Sequence, residues 1–197
     1  MSALQLVTPP ATEPLTLTIA KQHLRVEHTA DDALLGDLIT GVRQLAELYT
    51  GRAFISQTFR LWRDTWPEEA LVLPRSPLQS VTAVRVYDEA DAVTTVPVSQ
   101  YFTDTVSQPG RLVLRAGAVW PTPLRSANGV EVEYVAGYGP LASQVPVALR
   151  QGMLAHLAYL YEHRGEGLNA GGTAVEQALP ATALMLYAPY RLLRSVT

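Results

Sequence analysis

Cysteine is absent from the 197 residues, which removes disulfides, thiolate metal sites and cysteine nucleophiles together. Lysine is nearly absent: of 15 basic residues only Lys21 is not arginine. Arginine suits planar, partly desolvated protein contacts, and a GC-rich genome produces the same bias. No segment approaches the roughly 20 apolar residues of a membrane span. The first residues, MSALQLVTPPATEPLTL, also lack the basic region and apolar run of a signal peptide, so a soluble cytoplasmic product is expected. An excess of positive charge is missing too. With a formal net charge of -3, a strong sequence-independent grip on nucleic acid through phosphate neutralisation is not expected.

The familiar signatures of chemistry are missing as well. The four histidines, His23, His28, His156 and His163, do not fall into the H-E-x-x-H spacing of a zinc site. His156 and His163 are seven residues apart and can share a helix face, a pattern more typical of one packed and one solvated histidine than of a metal pair. The carboxylate pairs Asp31 and Asp32, Glu68 and Glu69, and Asp88 and Glu89 lie at a helix start or in turns, where solvated charge is expected. There is no nucleophile elbow, phosphate loop or dinucleotide fingerprint. No metal, cofactor or catalytic residue is therefore assigned.

What is present describes a globular chain. Hydrophobic residues make up 48% and charged residues 17%, enough apolar material for the core of one domain of ordinary size. Thr16 can cap a short helix over 16–26, with Leu17, Ala20 and Leu24 on one face. Thr29, with Asp32 three places on, resembles a capping box for a second helix over 30–50. Leu35, Leu38, Ile39, Val42, Leu45, Ala46 and Tyr49 follow at helical spacing, and Gly51 stands where a left-handed cap belongs. From residue 55 the period shortens towards two. SQTFRLWRDTW, ALVLP, VTAVRVYD, RLVLRA and GVEVEYVAG follow one another too closely to enclose crossover helices, which points to antiparallel pairing.

Pro146 opens a third helix, over 146–163, with Leu149, Met153, Leu157, Leu160 and Tyr161 to bury and with Ala148, Ala155 and Ala158 permitting close approach. The glycine-rich RGEGLNAGGTAVEQ reads as a connector. Beyond it lies an apolar, basic tail, ALPATALMLYAPYRLLRSVT. Such a tail either folds back on its own domain or docks on a partner, with Tyr187, Tyr190 and Arg191 as residue types that dominate interfaces. The fold class is thus α+β: an N-terminal helical pair, a central, mainly antiparallel β region over about 55–137, a long C-terminal helix and an extended C-terminal arm. Residues 1–14 read as a flexible leader, 15–164 as the main domain and 165–197 as linker and arm.

The order of these elements is more specific than any one of them. LTIAKQHLRVEHTADDALLGDLITGVRQLAELYTGRAF, LPRSPLQSVTAVRVYD, VEVEYVAGYG, VPVALRQGMLAHLAYLYEHR and LYAPYR together resemble the head-tail connector (adaptor) proteins of long-tailed phages and phage-derived gene transfer agents. The resemblance runs over roughly residues 15–191. It implies a structural protein: a ring of roughly a dozen copies under the portal of the DNA-filled head, closed through heterologous interfaces. Such a ring extends the channel and is the platform for the next connector or tail component. The implied partners are the portal protein, that next component, further copies of the chain, and passing double-stranded DNA held without sequence specificity. No membrane is implied, and assembly would be cytoplasmic before the protein joins the virion or gene transfer agent particle.

The resemblance also carries portal binding onto Leu186, Tyr187, Tyr190, Arg191, Leu192, Leu193 and Arg194. Glu162, His163 and Arg164, the exposed end of the third helix, are expected to face a neighbouring subunit or the channel. A connector predicts ring formation without turnover. A small α+β enzyme would need a deep pocket with perturbed titratable groups, and a nucleic-acid module would need a concentrated basic face.

Overall fold

The computed structural model describes residues 2–163 and 179–192. Expectations that fall on 164–178 and 193–197, including Arg164, Leu193, Arg194 and most of the glycine-rich connector, lie outside the described residues. Where the sequence suggested one main domain over 15–164, the contacts group into two units. One takes the chain up to Pro10 together with Ser56–Tyr138, and the other takes Ala11–Ile55 and the described residues from Gly139 onward. The chain passes between them three times within short stretches, which leaves no linker for composition to reveal.

The second unit is helical. Helix α1, Leu17–Leu24, starts at Thr16, whose Oγ1 accepts the Ile19 N–H at 3.2 Å, and ends on Arg25 in the left-handed region with φ 56. Helix α2, Asp32–Thr50, ends as expected on Gly51, φ 73, whose N–H reaches Glu47 O at 3.0 Å. Its start differs from the capping box read at Thr29. Asp31 holds the cap position without a side-chain bond to the helix, because its carboxylate accepts the Tyr161 hydroxyl at 2.5 Å instead. Helix α3, Val147–Glu162, follows Pro146, and a short helix α4, Ala181–Tyr187, follows Pro180. The described part of the arm is therefore helical before it becomes extended. Ala20, Leu35, Ile39, Val42, Ala46, Leu149, Met153, Leu157, Ala183 and Tyr187 form the core here.

The first unit holds the strands. Strand β1, Ser2–Thr8, arises where the sequence read as a leader. With β2 (Gln57–Arg63), β4 (Leu78–Tyr87), β5 (Val93–Thr95) and β8 (Val130–Ala136) it forms a sheet in the order β1-β2-β8-β4-β5. Every neighbouring pair is antiparallel, as expected for the strands beyond residue 55. The second sheet, β3 (Ala70–Val72), β7 (Arg111–Leu114) and β6 (Tyr101–Asp104), is antiparallel too. Asp104 closes its β6–β7 hairpin by accepting the Ser107 hydroxyl and backbone N–H and the Arg111 guanidinium, bonds that hold its carboxyl well below the usual range.

Alternation sorts the large sheet into two faces. Phe59, Leu61, Val84, Val86, Val130, Val132, Tyr134 and Ala136 are buried on one. Arg60, Trp62, Arg85, Tyr87, Glu131 and Glu133 lie on the other, in registered pairs such as Arg60 with Glu133 and Arg85 with Glu131. Strands β1, β5 and β6 escape the sequence reading, because each is short or uncharged and all three sit at sheet edges, where few buried positions impose a period.

Candidate assembly interface

The tail segment is seated against the end of α2 and the body of α3 by contacts that the backbone makes possible. Gly152, inside α3, has no side chain, and a Cβ there would come within 2.5 Å of the Tyr187 ring. That notch admits Tyr187, which is fully buried and lies 6.3 Å, centroid to centroid, from Tyr49. Burial pushes the Tyr187 phenol well above its ordinary pKa. Its hydroxyl has no hydrogen-bond partner among the described residues.

Past α4 the chain turns at Ala188–Tyr190 and runs along the end of α2. Arg52 Nε donates to Tyr190 O at 2.5 Å, and its guanidinium faces the Tyr190 ring at 6.0 Å. Leu192 N donates to Thr50 O at 2.9 Å. The absence of a side chain at Gly51 leaves room for Leu192, whose Cβ would lie 3.5 Å from a Cβ there. Arg191 carries its guanidinium 5.0 Å from the centroid of the Tyr49 ring. A polar cluster fixes the helix end that receives these residues. Arg43 pairs with Glu13 at 2.7 Å and with Glu47 at 3.0 Å, and Glu47 accepts the Phe54 N–H at 2.7 Å.

Of the residues expected at a portal contact, Leu186, Tyr190 and Leu192 are half-buried and Arg191 is exposed. Tyr187 is different: it faces the interior of its own unit. The fold-back reading of the tail therefore describes 179–192, while Met185, 77% exposed, is the apolar side chain that α4 turns to solvent. At the end of α3, Glu162 is exposed and His163 half-buried. The His163 ring stacks on Tyr159 at 4.3 Å, and its Nδ1 donates to Tyr159 O at 2.9 Å. His156 is fully buried, so it shares no exposed face with His163. Ala148, Ala155 and Ala158 are half-buried, and the close approach is made at Gly152 instead. A glycine inside an otherwise apolar helix was the available signal for that notch; Arg52 and Thr50 gave none.

The rest of the surface offers little for chemistry. The polar sheet face is a closed set of partners. Glu131 takes Arg85 at 2.6 Å, Arg60 at 3.1 Å and the Tyr87 hydroxyl at 2.5 Å, and Glu133 takes Arg60 at 2.7 Å. Two open grooves exist, one along α1 past Leu17, Lys21, Arg25 and Asp32, the other past Asp64, Trp66, Leu124 and Arg125. Among the described residues no group of His, Asp and Glu is arranged to hold a metal ion, and no helix is long and apolar enough to cross a membrane.

Comparison with known proteins agrees with the resemblance read from the sequence. Residues 14–105 match the family described as phage gp6-like head-tail connector protein. No curated protein matches the chain. Among solved structures, a chain in the neck of an empty gene transfer agent particle, computed with C6 symmetry, is 28% identical. That alignment covers 98% of this chain and 97% of the other, with a TM-score of 0.81. A chain in the virion of a native gene transfer agent particle is also 28% identical over the same shares, with a TM-score of 0.77. One in the neck of a native particle, computed with C12 symmetry, is 26% identical, again over the same shares, with a TM-score of 0.74.

Proposed function

We propose that this chain, similar over its length to a gene transfer agent neck protein and over residues 14–105 to the head-tail connector family, is itself a head-tail connector. It forms a ring of identical subunits in the neck of a phage or gene transfer agent particle. There it sits under the portal, continues the DNA channel and receives the next connector or tail component. The single observation that carries the reading is the TM-score of 0.81 across 98% of the chain. The six- and twelve-fold symmetries of the related necks favour a cyclic ring, and a cyclic ring requires two different, complementary faces on every subunit. The work is mechanical, not catalytic: its relatives are structural particle proteins.

The C-terminal segment is the attachment to the portal. Tyr187 anchors it in the Gly152 notch, which leaves Leu186, Tyr190, Arg191 and Leu192 near the surface; the portal contact is assigned to these four together with Leu193 and Arg194. One such contact is weak, but a ring engages all of its copies at once, and multivalency turns weak contacts into a firm joint. Glu162, His163 and Arg164 face a neighbouring subunit or the channel. The acidic balance of the subunit, -3, suits a wall past which a polyanion moves. Assembly takes place in the cytoplasm before the particle is complete.

The test is mass photometry of the full chain and of a chain ending at Leu192, each alone and mixed with the portal ring of the same particle. Ending at Leu192 removes Leu193 and Arg194 yet keeps Tyr187 in the core. Full-length protein is expected to add a near-complete set of subunits to the portal, and the shortened chain to add markedly fewer. If full-length protein adds none, the connector reading is wrong.

A further inference from the structure

The two outer strands of the large sheet carry neither charge nor proline, although β5 is only three residues long and β1 is irregular between Leu6 and Thr8. Such edges are normally blunted by charged side chains, by proline or by a covering element, because their unpaired N–H and C=O groups are a template for another strand. Strand β1, Ser2–Thr8, carries no charge and no proline along seven residues, and all seven are exposed. Strand β5, Val93–Thr95, is likewise uncharged, proline-free and exposed throughout, with Val93 53% exposed. Each pairs on one side only, β1 with β2 and β5 with β4.

The side chains of β1 add a second argument. Leu4 registers with Leu61 and Leu6 with Phe59, so both leucines lie on the face where Leu61 and Phe59 are 3% and 6% exposed. Leu4 and Leu6 are themselves 38% and 47% exposed. The apolar row of the sheet thus runs on past the part of the face that the chain covers. Hydrophobic surface left open beside an unpaired backbone edge invites an added strand, which satisfies both at once.

We infer that the outer edge of β1 in one subunit pairs with the outer edge of β5 in the next, so that the five-stranded sheet continues from copy to copy around the ring. The inference rests on the ring proposed above. It names the two unlike faces that a heterologous interface needs: they are the opposite edges of one sheet, each with a row of donors and acceptors and neither with a charge to exclude the other. Self-pairing of two β1 edges would instead give an isologous contact that uses up one face and closes as a dimer. A strand from the portal or from a tail component is the other class of occupant, and it becomes an outcome of the test.

The chain has no native cysteine, so engineered thiols report without background. In one sheet the outer strands are four strand spacings apart, roughly 19 Å, beyond a disulfide's reach of about 7 Å between Cα atoms and beyond a short bis-maleimide. A Leu6→Cys, Thr94→Cys double variant, assembled on portal rings and treated with such a linker, is expected to give a ladder of covalent multimers. Neither single variant should do so. Leu6→Lys serves as the second arm: with its side chain half-exposed in the chain alone, it should leave the isolated protein's thermal midpoint little changed and reduce subunit incorporation into the ring at least tenfold.

If rings assemble but the double variant gives no ladder, the edges do not meet and the inference is overturned. A ladder from the Leu6→Cys single variant alone would show β1 meeting β1 and would also overturn it. Linkage to portal or tail protein instead of to a second copy assigns the edge to that partner and refutes pairing between copies. Should no ring form under any condition, the connector reading itself falls, and this inference with it.

Discussion

Gly152 decides how the tail sits. In a helix interior glycine costs about 1 kcal/mol relative to alanine, yet here it clears the space that the Tyr187 ring occupies, 2.5 Å from where a Cβ would stand. Gly152→Ala is therefore expected to lose more through overpacking than it gains in helix propensity, a net destabilisation of about 1–3 kcal/mol. Faster proteolysis within the arm should accompany it, read by urea denaturation and limited trypsin digestion. Tyr187→Phe is the informative partner, because the buried hydroxyl has no hydrogen-bond partner among the described residues; the change should be neutral or stabilising by about 1 kcal/mol. The sign of the pH effect follows from the same burial. A phenol whose pKa is raised in the fold contributes its full stability below the unfolded value and loses it as pH rises above about 10. The wild type should therefore weaken relative to Tyr187→Phe only in alkaline solution.

At the level of elements, the end of α2 is held by charge as well as by its glycine cap. Glu47 is 7% exposed and binds both Arg43 and the Phe54 N–H. Glu47→Ala would leave a buried guanidinium with one carboxylate in place of two and a buried amide with none, so a loss of about 3–5 kcal/mol is expected. Glu47→Gln keeps the amide's acceptor and should lose less; chemical denaturation of the two variants separates the cases. The helices were legible in the sequence because their signals are local: Thr16 caps α1, Gly51 ends α2, and apolar residues at helical spacing fill the core. The same locality explains the errors. The start of α2 was misjudged because the Asp31 carboxylate is engaged by Tyr161, a residue 130 positions away. Strand β1 was invisible because pairing with β2, and not its own pattern, makes SALQLVT a strand. For the candidate interface, the sequence identified the tail as the unusual segment and its aromatic and arginine side chains as the notable ones. It could not show that Tyr187 turns inward, since that depends on a notch in a distant helix.

On the scale of the whole molecule, charge sets what the protein does with nucleic acid. A subunit of net charge -3 should show no retention of double-stranded DNA above about 0.1 M salt, measured by fluorescence anisotropy on a labelled duplex; saturable binding there would contradict a passive channel wall. The two units also differ in their optical make-up. All three tryptophans, Trp62, Trp66 and Trp120, belong to the strand unit, whereas every α-helix among the described residues belongs to the other. Trp66 and Trp120 are stacked nearly parallel, 4.0 Å between ring centroids and 7° between planes, close enough for their electronic transitions to couple. Tryptophan emission thus reports on the strand unit, while helical ellipticity follows the other unit. One unlabelled sample heated in one cuvette therefore yields a separate melting record for each half of the chain.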